Sequence, residues 1–123
     1  MNKTSKVTVV LGASPNPARY SNLAVHSLKS RGHQIFPIGI RDGEIDGVKI
    51  IKQRPSIEQV DTITLYLNKQ RQKEYYDYIF SLHPARIIFN PGAENDELKK
   101  LAEEKGIEAI EACTLVMLAT GQY

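Results

Sequence analysis

The chain has 123 residues, 41% hydrophobic and 24% charged, values near globular averages that exclude wholesale disorder and suit one domain with one core. Its 16 basic against 14 acidic residues, net charge +2, exclude a polyelectrolyte partner such as DNA yet allow a local phosphate site. A single cysteine, Cys113, excludes an intrachain disulfide, and without an apolar leader or a run near ~20 apolar residues a cytoplasmic protein away from membranes is expected.

Lys6 to Leu11 is a β-branched apolar run, hence a buried strand, stopped by Gly12. Ala13 to Tyr20 contains Pro15 and Pro17 and reads as a loop. Ser21 to Arg31 has helical spacing, with Ser21 as the expected N-cap and Gly32 just past the end. Gln34 to Ile38 is a second strand, with Pro37 near a strand end or marking where pairing stops. Gly39 to Gly47 reads as a turn-rich connection, Val48 to Ile51 as a short strand or extended arm, and Ser56 to Gln59 as one helical turn. Thr62 to Leu67 is a third main strand and Gln70 to Leu82 a helix that Pro84 ends. Arg86 to Phe89 is the fourth main strand, followed by the loop Asn90 to Ala93, a charged helix from Asn95 to Lys105, and a short strand Glu108 to Ile110. The apolar tail Cys113 to Ala119 reads as a closing helix, and Leu115 to Leu118 could instead form a dimer seam. Alternation of this kind predicts a Rossmann-like α/β fold, three layers α/β/α, with a mostly parallel sheet of about five strands in one domain over residues 1–123.

In such sheets ligands sit beyond the carboxyl ends of the strands. Gly12-Ala13-Ser14 lies between a strand and a helix: Gly12 permits a sharp turn, Ser14 offers a hydroxyl, and the loop amides offer donors. The helix N-terminus adds partial positive charge, and Arg19 can make a bidentate contact to an anion. Arg31, Arg41, Lys52 and Arg54 also lie in the first half, whereas many acids lie in the last third, which makes the first half the expected anion-binding one. The second and third glycines of G-x-G-x-x-G are missing, and Gly39-Ile40-Arg41 stands where an acid would hold a ribose diol, both arguing against an NAD fingerprint. The loop Asn90 to Asn95 is either a ligand loop or a turn followed by an Asn95 or Asp96 helix cap.

His26, His33 and His83 lack metal-type spacing, no zinc cluster is present, and Ser14 has no evident base, so no catalytic or metal residues are assigned. Tyr66, Tyr75, Tyr76 and Tyr78 read as core or dimer packing, with adenine stacking by Tyr66 or Tyr20 as the alternative. Cys113 reads as a small buried apolar residue, or else as a thiol able to form a mixed disulfide with a thiol ligand.

Several segments resemble a known family. They are Val10-Leu11-Gly12-Ala13-Ser14-Pro15-Asn16-Pro17 with Arg19-Tyr20-Ser21, then Gly32-His33, Val60-Asp61-Thr62, Asn90-Pro91-Gly92 with Glu94-Asn95, and Gly106-Ile107 leading to Ala112-Cys113. In these the chain resembles the small stand-alone CoA-binding domain proteins, whose fold is like the N-terminal domain of the succinyl-CoA synthetase alpha subunit. The resemblance implies a site for coenzyme A or an acyl-CoA. Its residues would be Gly12, Ala13, Ser14, Pro15, Arg19, Tyr20 and Ser21 at the first loop and Ile38 and Gly39 at the end of the second strand. Leu67 and Asn68, and Pro91, Gly92, Glu94 and Asn95, would complete it. It implies no particular reaction: a module that is non-catalytic or dependent on a partner chain, with a homodimer possible. The sequence departs from the family where Pro37-Ile38-Gly39-Ile40 replaces a frequent P-V-N-P, and where Asn90-Pro91-Gly92 replaces a frequent Gln-x-Gly. The alternatives are an NAD(P)-dependent oxidoreductase-like or other nucleotide-binding enzyme, and an interaction protein whose ligand site has decayed.

Overall fold

The structure is a computed structural model that describes residues 5–123. Strands β1 (Thr8–Leu11), β2 (Ile35–Ile38), β5 (Thr62–Leu65), β6 (Arg86–Phe89) and β7 (Glu108–Glu111) form one parallel sheet in the order β2-β1-β5-β6-β7. The register is level across it: Leu11 pairs with Ile38 and Leu65, and Leu65 with Phe89. The loops that follow these four strands therefore leave the sheet along one line. Pro37, which has no N–H to donate, sits on the edge strand β2, where one side needs no ladder partner.

Strand residues alternate between two cores, because successive side chains point to opposite faces. Val9 and Leu11 join the larger cluster with Tyr75, Ile79, Leu98 and Ala102. Val10, between them, joins the smaller one with Val25, Leu28, Ile45 and Leu118. One face is thus covered by α2 (Lys69–Gln72), α3 (Tyr76–Ser81) and α4 (Asp96–Glu104), the other by α1 (Tyr20–Ser30) and α5 (Thr114–Thr120). The result is the expected Rossmann-like three-layer α/β arrangement. Among the described residues no helix is long and apolar enough to cross a membrane.

Several local expectations are corrected. Helix α1 starts at Tyr20, not Ser21; Arg19 holds the cap position with extended backbone and no side-chain cap bond, and Ser21 is buried inside the first turn. The helix expected over 70–82 is broken into α2, a 3-10 turn over Lys73–Tyr75, and α3. At that break the Glu74 carbonyl accepts from Arg54 Nη1 at 2.8 Å. Ser56 to Gln59 is no helical turn: only Glu58 and Gln59 turn, with Gln59 at φ 59°. The connection after β2 hides an antiparallel hairpin, β3 (Glu44–Ile45) and β4 (Val48–Lys49), whose Ile45 is buried in the smaller core. The tail closes that core, as α5 buries Met117 and Leu118.

Tyr123 returns to the amino ends of the strands. Its hydroxyl lies 2.6 Å from Thr8 Oγ1, its ring meets His33 edge-on at 5.0 Å, and the Arg86 guanidinium lies 4.6 Å over it. The Nδ1 atom of His33 accepts from the Lys6 amide at 2.9 Å. Burial, then the charges of Lys6, Arg31 and Arg86, hold the His33 imidazole below its ordinary 6.5; Asp61 opposes them weakly. The fold therefore favours neutral His33. That contribution to stability is complete above pH 6.5 and is lost as pH falls through the lowered native value. Melting temperatures should drop between pH 7 and 5. His33→Asn, which keeps an acceptor for the Lys6 amide, should flatten the drop; equal profiles would exclude His33 as its source.

Candidate functional site

The carboxyl ends of β1, β2, β5 and β6 open into one cavity of about 600 Å³. Its floor is the junction between β1 and α1. Gly12 there has φ 102°, a conformation that favours glycine, and a Cβ would stand 3.2 Å from Leu67. The amides of Gly12 and Ala13 both donate to the Ile38 carbonyl at 2.9 Å. These two amides bind the junction to the end of β2 and are not among the donors that the loop offers. Gly39 makes the approach possible, since a Cβ on it would lie 2.2 Å from the Ala13 carbonyl oxygen.

The donors that remain lie further along the loop. No protein acceptor takes the amides of Ser14, Tyr20 or Ser21 among the described residues, and two of these belong to the first turn of α1. That turn holds no acidic residue, so the positive end of the helix is not neutralised from within. Ser14 Oγ accepts from the Asn16 amide at 3.1 Å, which leaves its proton to donate. The loop braces itself: Asn16 Oδ1 accepts from the Ala18 amide at 3.0 Å, and buried Asn22 donates to the Ser14 carbonyl at 2.9 Å. Arg19 is exposed and lines the cavity.

Most residues expected at the site do line this cavity: Gly12, Ala13, Ser14, Arg19, Tyr20, Ser21, Ile38, Gly39, Leu67, Asn68, Pro91 and Gly92. Pro15, Glu94 and Asn95 do not. Pro15 packs against Gly43 of the hairpin segment, where a Cβ would lie 2.8 Å from the proline ring. Glu94 folds back so that Oε1 accepts from the Gly92 amide at 3.0 Å. Asn95 is scaffolding: Oδ1 caps α4 by accepting from Leu98 N–H at 3.1 Å, and Nδ2 donates to Gln72 Oε1 and Tyr76 Oη at 2.9 and 2.8 Å. Gln72, wholly buried, passes that network on to the carbonyls of Leu67 and Ala93 at 2.7 and 2.8 Å. It thereby fixes the loops after β5 and β6 relative to each other.

A model of the CoA-binding domain family matches residues 6–119. The chain belongs to that family. Among solved structures, this CoA-binding domain is similar to an uncharacterised protein with 51% identity, a TM-score of 0.96, and coverage of 98% of this chain and 100% of that one. A conserved hypothetical protein from Pyrococcus furiosus is 28% identical, TM-score 0.76, over 91% of this chain and 97% of that one. A protein from Thermus thermophilus shares the fold at 20% identity, TM-score 0.84, over 97% of this chain and 91% of that one. The sequence matches no curated protein.

In this CoA-binding domain the cavity also gathers residues outside the expected set, Ala18, Ile40, Arg41, Arg71, Glu74 and Tyr75, together with Tyr66, the alternative stacking residue. Arg41 carried a signal, being a cation just past the end of β2; Arg71 and Glu74 carried none, since exposed helical charges are usually solvated. Glu74 is the one carboxylate of the lining, and Oε1 lies 3.7 Å from Arg54 Nη2. Arg54 in turn stacks over the Tyr75 ring at 4.0 Å. Tyr66 belongs to the lining while its hydroxyl is shut away beside Thr64 and Thr114; burial pushes it up to about 12, so it stays neutral in ordinary buffers. Cys113 is half-buried at the cap of α5 and is not part of the cavity lining.

Proposed function

We propose that the chain binds coenzyme A or an acyl-CoA in this cavity and acts as a non-catalytic or partner-dependent module. The observation that carries the reading is the set of unclaimed amides at Ser14, Tyr20 and Ser21, beside Arg19, at a helix N-terminus. Backbone N–H groups, a helix dipole and a guanidinium together suit a pyrophosphate. Arg41 and Arg71 on the same cavity supply further cations for a ligand with several phosphate charges. Family membership supports coenzyme A over other nucleotides. Ile40-Arg41 at the end of β2, in place of an acid for a ribose diol, speaks against NAD. A binding role is supported by the lining itself, which pairs no nucleophile with a base and whose carboxylate is engaged by Arg54.

Isothermal titration with CoA, acetyl-CoA, NAD and NADP tests this. CoA and acetyl-CoA should bind, and NAD should not. Arg19→Ala should weaken CoA by about ten- to a hundred-fold, because charge-assisted hydrogen bonds contribute roughly 1.5–3 kcal/mol. Arg19 is exposed and makes no side-chain cap bond, so the variant should melt with the wild type. No heat of binding with CoA, or equal affinity in the variant, would sink the assignment.

A further inference from the structure

The connection from β4 to β5 runs past the 3-10 turn over Lys73–Tyr75, and one of its side chains clasps that turn. Arg54 Nη1 donates to the Glu74 carbonyl at 2.8 Å, and Nη2 lies 3.7 Å from Glu74 Oε1. The guanidinium plane covers the Tyr75 ring at 4.0 Å. A planar fork suits this seat of carbonyl, carboxylate and ring in a way that an ammonium does not. The connection is fastened again at the next residue, where Tyr78 Oη donates to the Pro55 carbonyl at 2.7 Å.

Glu74 and Tyr75 line the cavity, and Arg54 does not. The lining carries the cations Arg19, Arg41 and Arg71, with Glu74 as its one carboxylate. To an anionic ligand that carboxylate is a repulsive charge, and whatever offsets it decides how strongly it is felt. Arg71, one turn earlier, makes no ion pair with Glu74 among the described residues. Lys52, the other cation of the connection, is occupied by Asp42 at 3.0 Å. The charge of Glu74 is therefore met by Arg54, from outside the lining.

We propose that Arg54 is a positioning residue that acts on the ligand through Glu74. It offsets the one repulsive charge of the lining, and so raises affinity for a polyanionic ligand without touching it. The proposal rests on the CoA reading above and adds to it a control on the charge the cavity accepts. The two side chains are 42% and 65% exposed, so the effect is modest and is screened by salt.

The test is isothermal titration with CoA at ionic strengths of about 0.02 and 0.5 M, on wild type, Arg54→Met, Glu74→Gln and the double variant. Methionine keeps an unbranched stem over Tyr75 and removes the charge. At low salt Arg54→Met should weaken CoA by about two- to five-fold, in keeping with the worth of an exposed ion pair. Glu74→Gln should tighten CoA by a similar factor, and the double variant should return to the wild-type value. Both single-variant effects should shrink at high salt. Opposite signs that cancel are the mark of charge, whereas a purely structural role for Arg54 would leave the double variant as weak as Arg54→Met. That result, or wild-type affinity in Arg54→Met at low salt, overturns the role of Arg54 and leaves the CoA site standing. No binding of CoA to wild type overturns the CoA reading and this proposal together.

Discussion

Gly39→Ala is expected to lower stability by about 3 kcal/mol, the upper part of the range for overpacked sites, and to weaken CoA binding at temperatures where the variant remains folded. The added methyl would meet the Ala13 carbonyl oxygen at 2.2 Å and its carbon at 3.1 Å. Both are backbone atoms, so no side chain can swing aside. Either β2 or the β1–α1 junction must move, and the junction is held by the two bonds from Gly12 and Ala13 to the Ile38 carbonyl. The same shift would displace Ser14 from its place beside Tyr20 and Ser21. For a chain of this size the loss corresponds to roughly 10 °C in melting temperature. Gly106→Ala is the control: its φ is 76° but nothing lies within 4 Å of the added carbon, so it carries backbone strain alone, about 1 kcal/mol. Equal melting of Gly39→Ala and wild type would show that the contact does not govern the junction.

Asn90→Ala is expected to cost about 2–4 kcal/mol while leaving CoA affinity within about three-fold, since buried groups left without partners cost roughly 1–3 kcal/mol each. Asn90 is 2% exposed. Its Nδ2 donates to Thr64 Oγ1 at 2.7 Å and to the Leu65 carbonyl at 2.8 Å, and its Oδ1 accepts from the Thr114 amide at 2.9 Å. The Thr64 and Thr114 hydroxyls complete the network at 2.8 Å. One side chain thus joins β5, β6 and the first residue of α5. Truncation strands two acceptors on β5 and a donor on α5 without touching the cavity lining. Chemical denaturation measures the first quantity and titration of CoA below the transition measures the second. A large loss of affinity with unchanged stability would instead make Asn90 a ligand residue.

Much of the fold was legible in the order of residues. The runs at Val9-Val10-Leu11, Ile63-Thr64-Leu65 and Ile87-Ile88-Phe89 are buried on both faces, and a central parallel strand needs such unbroken β-branched and apolar character. Their alternation with helical spacing dictates a parallel sheet, and a parallel sheet dictates that function gathers at one edge. Gly12, Ser14 and Arg19 were readable as a candidate ligand loop for that reason, and the wider motif carried the family.

Tertiary structure decided which atoms of that loop remain available. Whether the Gly12 and Ala13 amides face a ligand depends on the Ile38 carbonyl, 25 or more residues away in sequence, reaching them first. The β3–β4 hairpin has strands of two residues each, too short for any period to show. Asn95 could be read as ligand or cap, and the choice fell to Gln72 and Tyr76, which arrive from the preceding helical unit. Arg41, Arg71 and Glu74 reach the cavity because the crossover order places two separate connections side by side. Local sequence sets backbone preference and burial pattern within a few residues; competition for hydrogen-bond partners and convergence of distant side chains are properties of the packed chain.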